Sequence, residues 1–397
     1  MSIKINKFKK LDLGKVMNYK VGSLFAGVGG VCLGFKNAVN EQGGYQLVWA
    51  NELDENAGKT YQHNFEHTLI AGDIEKIVKP EREQDERLRA EFVAKKATIL
   101  AQPIDILTGG FPCQAFSIAG GRKGFDDHRG NLFYSIIDLV NQLHETTHKP
   151  RVLFLENVKN LRGHDKGRTY QVIKSELEGA GYTIKDAVLN TKEYTNLPQN
   201  RERLFIVCFL HQADADRFTM FDRLDTFKLK HSDSKRKDNI ANLLDLESNK
   251  QQLQPYYYTA EKYPNYFLTQ AQYDNIPADK RKKERINISE QITDEFEFYQ
   301  VRRGMYVRKN ANGVCPTLTA NMGTGGHNVA LIKVQDGVRK LTPEETFKLQ
   351  GFPIGNGYSL PEKMANGQLY KQAGNAVSVD LITLIANELL VVLQACD

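Results

Sequence analysis

Short apolar runs alternate with helix-like stretches through the first half of the chain, and this alternation constrains the fold most. Helical periodicity fills several of the gaps, as in Leu132–Leu143 and Thr169–Ala180. The predicted strands are Val21–Phe25, Leu47–Ala50, Ile104–Leu107, Val152–Leu155, Ile184–Leu189 and Leu204–Phe209. Such alternation is typical of an α/β fold with a mostly parallel sheet and helices on both faces. Ligands of these sheets bind beyond the carboxyl ends of the strands.

The alternation stops near residue 211, which indicates a second domain. The 397 residues also exceed what one compact unit usually needs. We predict a larger domain at 1–210, a smaller one at 211–328 and a segment at 329–397 that returns to the first domain. The returning segment ends in a predicted amphipathic helix, Val379–Leu393. Within the first domain, the highly charged stretch Lys79–Ala101 indicates a helical surface insertion in preference to a functional element.

Composition argues against several classes of protein. No run of about 18 apolar residues predicts a membrane span. The lysine-rich stretch 1–20 lacks the apolar core of a secretory signal, so we expect a cytoplasmic protein. The five cysteines form no C-x-x-C pair, which indicates neither a metal site nor a disulfide framework. The net charge of +5 is compatible with a polyanionic partner without requiring one.

Three features after the first strands together predict a nucleoside pocket. The glycine-rich turn at 25–30 would bring the backbone close to a ligand. Glu52 could accept protons from ribose hydroxyls, and Asp73 from an adenine amino group. A turn that only saves space and an aspartate that only caps a helix are the structural alternatives. Because no phosphate-gripping lysine is present, an adenosyl group without phosphates is favoured, as in S-adenosylmethionine.

Candidate catalytic groups follow the next strands. Cys113 stands in a loop of glycine and proline, whereas a cysteine that is only a small buried hydrophobe would lie in an apolar stripe. The following residues, 117–131, hold four glycines and three basic residues, a composition typical of a lid that contacts phosphate. Glu156 directly follows an apolar strand, where an idle charge is costly. Arg201 and Arg203 point to one side of an extended chain, although surface salt bridges are the alternative.

In order and spacing, these motifs resemble those of the cytosine-carbon-5 DNA methyltransferases, particularly the compact bacterial enzymes of restriction–modification systems. The matching segments are FAGVGG (25–30), Asn51-Glu52, Gly72-Asp73-Ile74, GGFPCQAFS (109–117), ENV (156–158), QNRER (199–203), RKLTPEE (339–345), LQGFP (349–353) and QAGNAVS (372–378). The stretch 314–328 is similar to the one that closes the family's target-recognition region. Asn200 departs from the family pattern, where lysine or arginine is frequent, but both arginines remain.

The resemblance implies a Rossmann-like S-adenosylmethionine-dependent methyltransferase fold, with 211–328 as the target-recognition domain. The catalytic residues it implies are Cys113, Glu156, Arg201 and Arg203. The predicted cofactor-binding residues are Phe25, Ala26, Gly27, Gly29, Gly30, Glu52, Leu53, Asp73, Ile74, Pro112 and Asn375. The predicted DNA-binding residues are Gln114, Ser117, Arg122, Arg129, Thr319, Gly323, Gly325 and Gly326.

The chemistry needs groups of these types. A thiolate that adds to carbon 6 of cytosine makes carbon 5 nucleophilic enough to take a methyl group, and this is the role of Cys113. Protonated Glu156 can donate to ring nitrogen 3 and accept from the exocyclic amine, while Arg203 can bind the carbonyl at carbon 2. The base that later removes the proton from carbon 5 is not identified. The cytosine must first leave the duplex, at a cost of a few kcal/mol.

The implied partner is double-stranded DNA, read in the major groove by the smaller domain. We also expect a monomer whose cognate restriction endonuclease is a functional partner only. A tRNA cytosine methyltransferase of the same fold is a second hypothesis, although its Cys-Phe-Thr element is absent. A catalytically inactive DNA-binding regulator is a third, but such proteins typically lose the cysteine or the ENV acid. Methyltransferases that act on exocyclic amines are disfavoured, since they need no nucleophilic cysteine.

Overall fold

A seven-stranded sheet forms the centre of the protein in a computed structural model, with the order β3-β2-β1-β4-β5-β7-β6. The structure describes residues 17–111, 131–146, 148–230, 233–245, 250–282, 284–302, 306–310, 313–322 and 330–395. The strands are β1 (Met17–Leu24), β2 (Gly43–Glu52), β3 (Thr68–Ala71), β4 (Ile106–Gly109), β5 (Val152–Val158), β6 (Thr183–Asn190) and β7 (Glu202–Phe209). In this sheet β7 pairs antiparallel with both β5 and β6, and the other neighbouring strands pair in parallel.

The helices lie on both faces of this sheet and in the connections beyond it. They are α1 (Gly30–Asn37), α2 (Glu55–Asn64), α3 (Ile74–Val78), α4 (Glu86–Leu100), α5 (Asn131–Thr146), α6 (Arg168–Gly179), α7 (Thr191–Tyr194), α8 (Gln212–Arg217), α9 (Asp233–Leu243), α10 (Lys250–Leu253), α11 (Gln270–Asp274), α12 (Ile288–Gln291), α13 (Pro343–Lys348), α14 (Asn366–Asn375) and α15 (Val379–Gln394).

The apolar runs form strands because both of their faces are covered. All four residues of β4 are buried, as are the first six of β5, the pattern of central strands between two helical layers. The six predicted strands and the mostly parallel sheet are confirmed. Strand β3 was not predicted, because its four residues include only one that is fully buried and so give a weak apolar signal.

Helices α1 and α15 pack together on one face of the sheet. A Cβ added to Gly34 would lie 2.5 Å from Ile382, so the glycine lets the two helices approach closely. Through α15 the chain thus returns to the apolar layer beneath the main sheet. Among the described residues, Asn366–Gln394 is the one stretch apolar enough to cross a membrane by length and composition. The most apolar part of this stretch is 67% buried inside the protein. A core helix has the same length and apolar composition.

The predicted charged insertion forms α4, whose residues are mostly exposed. Only Phe92 and Ile99 are buried in it. Asp85 caps its first turn by accepting from the backbone N–H groups of Arg87 and Leu88. The prediction of a solvated surface helix is confirmed.

A smaller antiparallel sheet, of order β11-β10-β8-β9, lies beyond the main one. Its strands are β8 (Phe298–Arg302), β9 (Tyr306–Lys309), β10 (Leu331–Val334) and β11 (Gly337–Lys340). The predicted boundary at 328 therefore divides this sheet, because pairing between distant strands leaves no local trace in the sequence. The boundary at 211 also needs correction, since Ala215, Phe218 and Met220 pack into the apolar layer beneath the main sheet.

Candidate active site and cofactor cavity

The glycine-rich turn after β1 follows a left-handed path. Phe25, Gly27 and Gly29 have φ angles of 53°, 56° and 86°, and such values are uncommon for a residue with a side chain, such as Phe25. A Cβ on Gly29 would lie 2.2 Å from the ring of Phe65, so only glycine fits there. This turn leads directly into α1 and exposes the backbone of residues 25–27 to a cavity.

Glu52 anchors the turn to the end of β2. Its Oε2 accepts a hydrogen bond from the Gly27 N–H at 2.7 Å. Its Oε1 accepts from the N–H groups of Leu53 at 3.0 Å and Asp54 at 2.7 Å. A carboxylate has about four lone-pair sites, so these three bonds leave capacity for a ligand hydroxyl.

Asp73 caps a helix and also lines the cavity, so its predicted role as an acceptor for an adenine amino group stays a prediction. Its Oδ1 accepts from the Glu75 N–H at 3.0 Å and so caps α3. The residue also lines the cavity, together with its neighbours Gly72 and Ile74. Asn51 holds this strand end in place by donating from Nδ2 to the Gly72 carbonyl at 2.9 Å.

The cavity has a volume of about 450 Å³, and its lining joins most of the predicted cofactor-binding residues to Glu156, Arg201 and Arg203. The predicted cofactor-binding residues in its wall are Phe25, Ala26, Gly27, Gly30, Glu52, Leu53, Asp73, Ile74 and Asn375. Gly29 does not line it, because this glycine packs against Phe65. Leu53 is 64% exposed at the mouth, as expected of an apolar side chain that a ligand covers. These carboxylate acceptors and apolar surfaces fit an adenosyl group, whose ribose hydroxyls and amino group donate.

Glu156 and Arg203 meet across the β5–β7 pair. The antiparallel register places Val158 opposite Arg203, so Glu156 is the diagonal neighbour of Arg203 on the same face. Arg203 Nε lies 2.9 Å from Glu156 Oε1, with both side chains largely buried. Both residues line the cavity, as does Gly110, where a Cβ would lie 3.4 Å from Glu156 Oε2. The costly buried acid is therefore paired with a cation.

Asn157 is a site residue that the sequence analysis missed. It is 3% exposed, and its Nδ2 donates to the Phe111 carbonyl at 2.7 Å. Its Oδ1 accepts from the Val158 N–H at 2.8 Å. The bond ties β5 to the chain just before the predicted catalytic loop. A polar residue next to Glu156 inside an apolar strand was the available signal.

Several predicted residues lie outside the described part of the chain, so their positions are not given. They are Pro112, Cys113, Gln114, Ser117, Arg122, Arg129, Gly323, Gly325 and Gly326. Thr319 is described and exposed, and its Oγ1 donates to Asn321 Oδ1 at 2.7 Å.

Arg201 differs from Arg203 in its partners, although both line the cavity. Its Nη1 donates to the Leu318 carbonyl at 3.0 Å, and its Nη2 donates to the carbonyls of Gly374, at 3.2 Å, and Ala376. Arg201 is 2% exposed. Burial lowers its pKa well below the ordinary arginine value, and the nearby charge of Arg203 acts in the same direction.

The returning helix α14 forms one wall of the cavity and is tied to α2 across it. Lys371 Nζ donates to Asp54 Oδ2 at 2.6 Å, while Thr60 Oγ1 donates to Gln372 Oε1 at 2.9 Å. Lys371 lines the cavity, so a lysine is present at a site where the sequence indicated none. Its ammonium forms an ion pair with the Asp54 carboxylate, as a lysine that only links two surface helices would.

Known proteins resemble this chain over most of its length. It is 43% identical over 372 residues to the type II methyltransferase M.Bsp6I of Bacillus sp. (strain RFL6), covering 93% of this chain and 98% of the relative. It is 32% identical to M1.ScrFI of Lactococcus lactis subsp. cremoris, covering 96% and 80%. A solved structure of the Entamoeba histolytica methyltransferase EhMeth shares the fold at a TM-score of 0.60 and 17% identity, covering 95% and 99%.

The family model described as C-5 cytosine-specific DNA methylase matches residues 19–390, which include the turn, both acids, the arginine pair and the returning segment. This match covers well over half of the chain and agrees with the fold. The chain therefore belongs to the C-5 cytosine-specific DNA methylase family and is an S-adenosylmethionine-dependent DNA (cytosine-5-)-methyltransferase.

Proposed function

We propose that the cavity holds the cofactor at its Glu52 end and a cytosine extruded from duplex DNA at its Glu156 end. This proposal rests on the continuity of the cavity, since Glu52, Asp73, Glu156 and Arg203 all line the same space. The two reacting molecules must share one space, because methyl transfer requires the reacting atoms to approach within about 3–3.5 Å.

Cys113 attacks carbon 6 of the cytosine as a thiolate, and electrons move through the ring so that carbon 5 becomes nucleophilic. S-adenosylmethionine supplies an electrophilic methyl group to carbon 5. Loss of the proton from carbon 5 then expels the Cys113 thiolate and restores the aromatic ring. Asn157 anchors the chain on the N-terminal side of Cys113, since it donates to the carbonyl of Phe111, two residues earlier.

Glu156 and Arg203 hold the base while the ring accepts charge. When the base binds, Glu156 takes up a proton, donates it to nitrogen 3 through one carboxyl oxygen and accepts from the exocyclic amine through the other, which also selects cytosine. Arg203 binds the carbonyl at carbon 2. The ion pair between these two side chains fixes both in the cavity wall before the base arrives, so the site loses less conformational freedom on binding.

The recognition of DNA falls to the residues around the smaller sheet. We assign target recognition to the predicted domain 211–328, with two changes. Helix α8 stays with the main sheet, and strands β10 and β11 are added to the smaller domain. Arg302, Thr319 and the basic run at 280–283 are candidates for phosphate contacts. Lower salt should strengthen binding by such contacts.

The cellular role we propose is protection of host DNA in a restriction–modification system. The type II relatives support this role by their names. The enzyme would act in the cytoplasm as a monomer, with a cognate endonuclease as a functional partner that shares its site and makes no stable contact with it.

A matched pair of cysteine variants tests the mechanism. Cys113→Ser should abolish labelled methyl transfer to duplex DNA while retaining DNA binding, and Cys396→Ser should leave both intact. Bisulfite sequencing of DNA from cells that express the wild type should give the methylated motif. Full activity of Cys113→Ser would contradict the covalent mechanism, and transfer to tRNA in preference to duplex DNA would contradict the substrate.

A further inference from the structure

Arg201 uses its guanidinium to join three parts of the chain that are distant in sequence. One carbonyl partner, Leu318, belongs to the stretch 314–328, which closes the proposed target-recognition region. The other two, Gly374 and Ala376, flank Asn375 in the wall of the cavity. Nε is the one guanidinium nitrogen without a hydrogen-bond partner among the described residues. The side chain thus faces backbone carbonyls, whereas Arg203 faces the carboxylate of Glu156.

Gln199 reinforces the same junction two residues earlier. Its Nε2 donates to the Leu349 carbonyl at 2.7 Å, and the residue is fully buried. Backbone hydrogen bonds add to it, from the Asn200 N–H to the Cys315 carbonyl at 2.7 Å and from the Cys315 N–H to the Pro198 carbonyl at 2.6 Å. The segment 313–319 is therefore held against residues 198–201, which directly precede β7.

The two segments that Arg201 holds also touch each other. A Cβ on Gly374 would lie 2.2 Å from the carbonyl carbon of Thr319, so α14 and the target-recognition segment are in backbone contact. Any change in the position of one must displace the other. Residues predicted to contact DNA and residues in the cofactor wall share this junction.

Although the family resemblance implies a catalytic role for Arg201, we propose that it is a positioning residue. It holds Leu318–Thr319, assigned to DNA contact, and the cavity wall at 374–376, assigned to the cofactor, in a fixed relative position. This inference rests on the proposed function, which assigns those two segments to DNA and cofactor. The planar fork of arginine can reach carbonyls on two segments at once, whereas the single ammonium of lysine cannot reproduce that geometry. Loss of the fork weakens both binding sites together and leaves the reacting groups in place.

The first test compares Arg201→Lys with Arg203→Lys in steady-state kinetics, with DNA varied at saturating cofactor and cofactor varied at saturating DNA. Arg201→Lys should raise the KM for S-adenosylmethionine and the KM for DNA, each by about tenfold, with kcat within about threefold of the wild type. Arg203→Lys should lower kcat by about 100-fold with smaller changes in KM. A fall in kcat with unchanged KM values in Arg201→Lys would overturn the proposal.

A second pair of variants leaves Arg201 untouched and covers the case in which Arg201→Lys does not fold. Gly374→Ala forces the two segments apart and should raise both KM values, as Arg201→Lys does. Gly367→Ala lies on the same helix, where an added Cβ meets nothing within 4 Å, and should leave both unchanged. Unchanged KM values in Gly374→Ala would contradict the shared junction. Failure of the proposed function is distinct, because the wild type and Gly367→Ala would then not methylate DNA cytosine.

Discussion

Glu156 and Arg203 lie on antiparallel neighbours, β5 and β7, and form an ion pair at 2.9 Å in the wall of the cavity. Glu156→Gln keeps the shape of the side chain but cannot supply a proton to ring nitrogen 3. We expect kcat to fall by at least about 100-fold, since general acid catalysis contributes on this scale. Cofactor affinity should not change. Glu202→Gln is the control, because Glu202 is 41% exposed and pairs with Lys159. Near-normal kcat in Glu156→Gln would disprove the assignment.

Asn157 holds the last described residue before the catalytic loop. Asn157→Ala removes the donor to the Phe111 carbonyl and leaves that buried acceptor unpaired, at a cost of about 1–3 kcal/mol in unfolding free energy. We expect a lower kcat as well, because the loop loses its anchor. Chemical denaturation and single-turnover kinetics measure the two effects. Asn160→Ala, at an exposed position nearby, should change neither. Normal turnover in Asn157→Ala would show that the anchor does not position the loop.

The Asp54–Lys371 ion pair links α2 to α14 at the cavity. Asp54→Asn keeps the oxygen that caps α2 but removes the charge, so cofactor should dissociate faster by a fewfold, about 0–1 kcal/mol, and more so at low salt. Asp54→Ala also loses the cap and should lower stability by about 1 kcal/mol. Stopped-flow displacement of bound cofactor measures the first effect. Equal rates in wild type and Asp54→Asn would exclude a role for the pair in retention.

The same pair predicts a pH dependence of stability. Burial acts to raise the pKa of Asp54, but the Lys371 ammonium and two backbone N–H groups outweigh it and lower the pKa below the ordinary 3.8. Because the folded-state pKa is lowered, the contribution is fully present well above 3.8 and disappears as pH falls through the folded value. The difference in unfolding free energy between wild type and Asp54→Asn should therefore be largest well above pH 3.8 and should shrink as the pH falls below it. A constant difference across this range would contradict the assignment.

The pair of Arg339 and Glu345 is buried, and neither residue lines the cavity. Two hydrogen bonds, of 2.8 and 2.6 Å, join side chains that are each 1% exposed. Removing one partner leaves an unpaired buried charge, so Glu345→Gln should lower the unfolding free energy by about 3–5 kcal/mol. Asp225→Asn breaks an exposed, solvent-screened pair with Lys228 and should leave the unfolding free energy almost unchanged. Similar losses in both variants would contradict this ranking.

The sequence predicted the main sheet well because its strands are continuous apolar runs, which need no knowledge of their partners. It did not predict the small sheet, where β8 pairs with β10, which follows it only after β9 and about twenty further residues. The order of motifs also predicted that Glu52, Asp73, Glu156 and Arg203 share one site. The two-residue spacing of Arg201 and Arg203 indicated that both side chains lie on one side of the chain. It could not show that Arg203 pairs with a carboxylate while Arg201 donates to carbonyls of residues more than 100 positions away.

The packing of α15 on α1 and of α14 on α2 has a consequence for biosynthesis. The turn, both cofactor acids, Glu156 and Arg203 are all translated before residue 204, yet the opposite wall comes from 371–377. A ribosome must therefore complete nearly the whole polypeptide before the cavity can close around its ligand. Incomplete products that end before α14 would present an open half-site, and DNA modification would be restricted to chains that have been synthesised almost to the end.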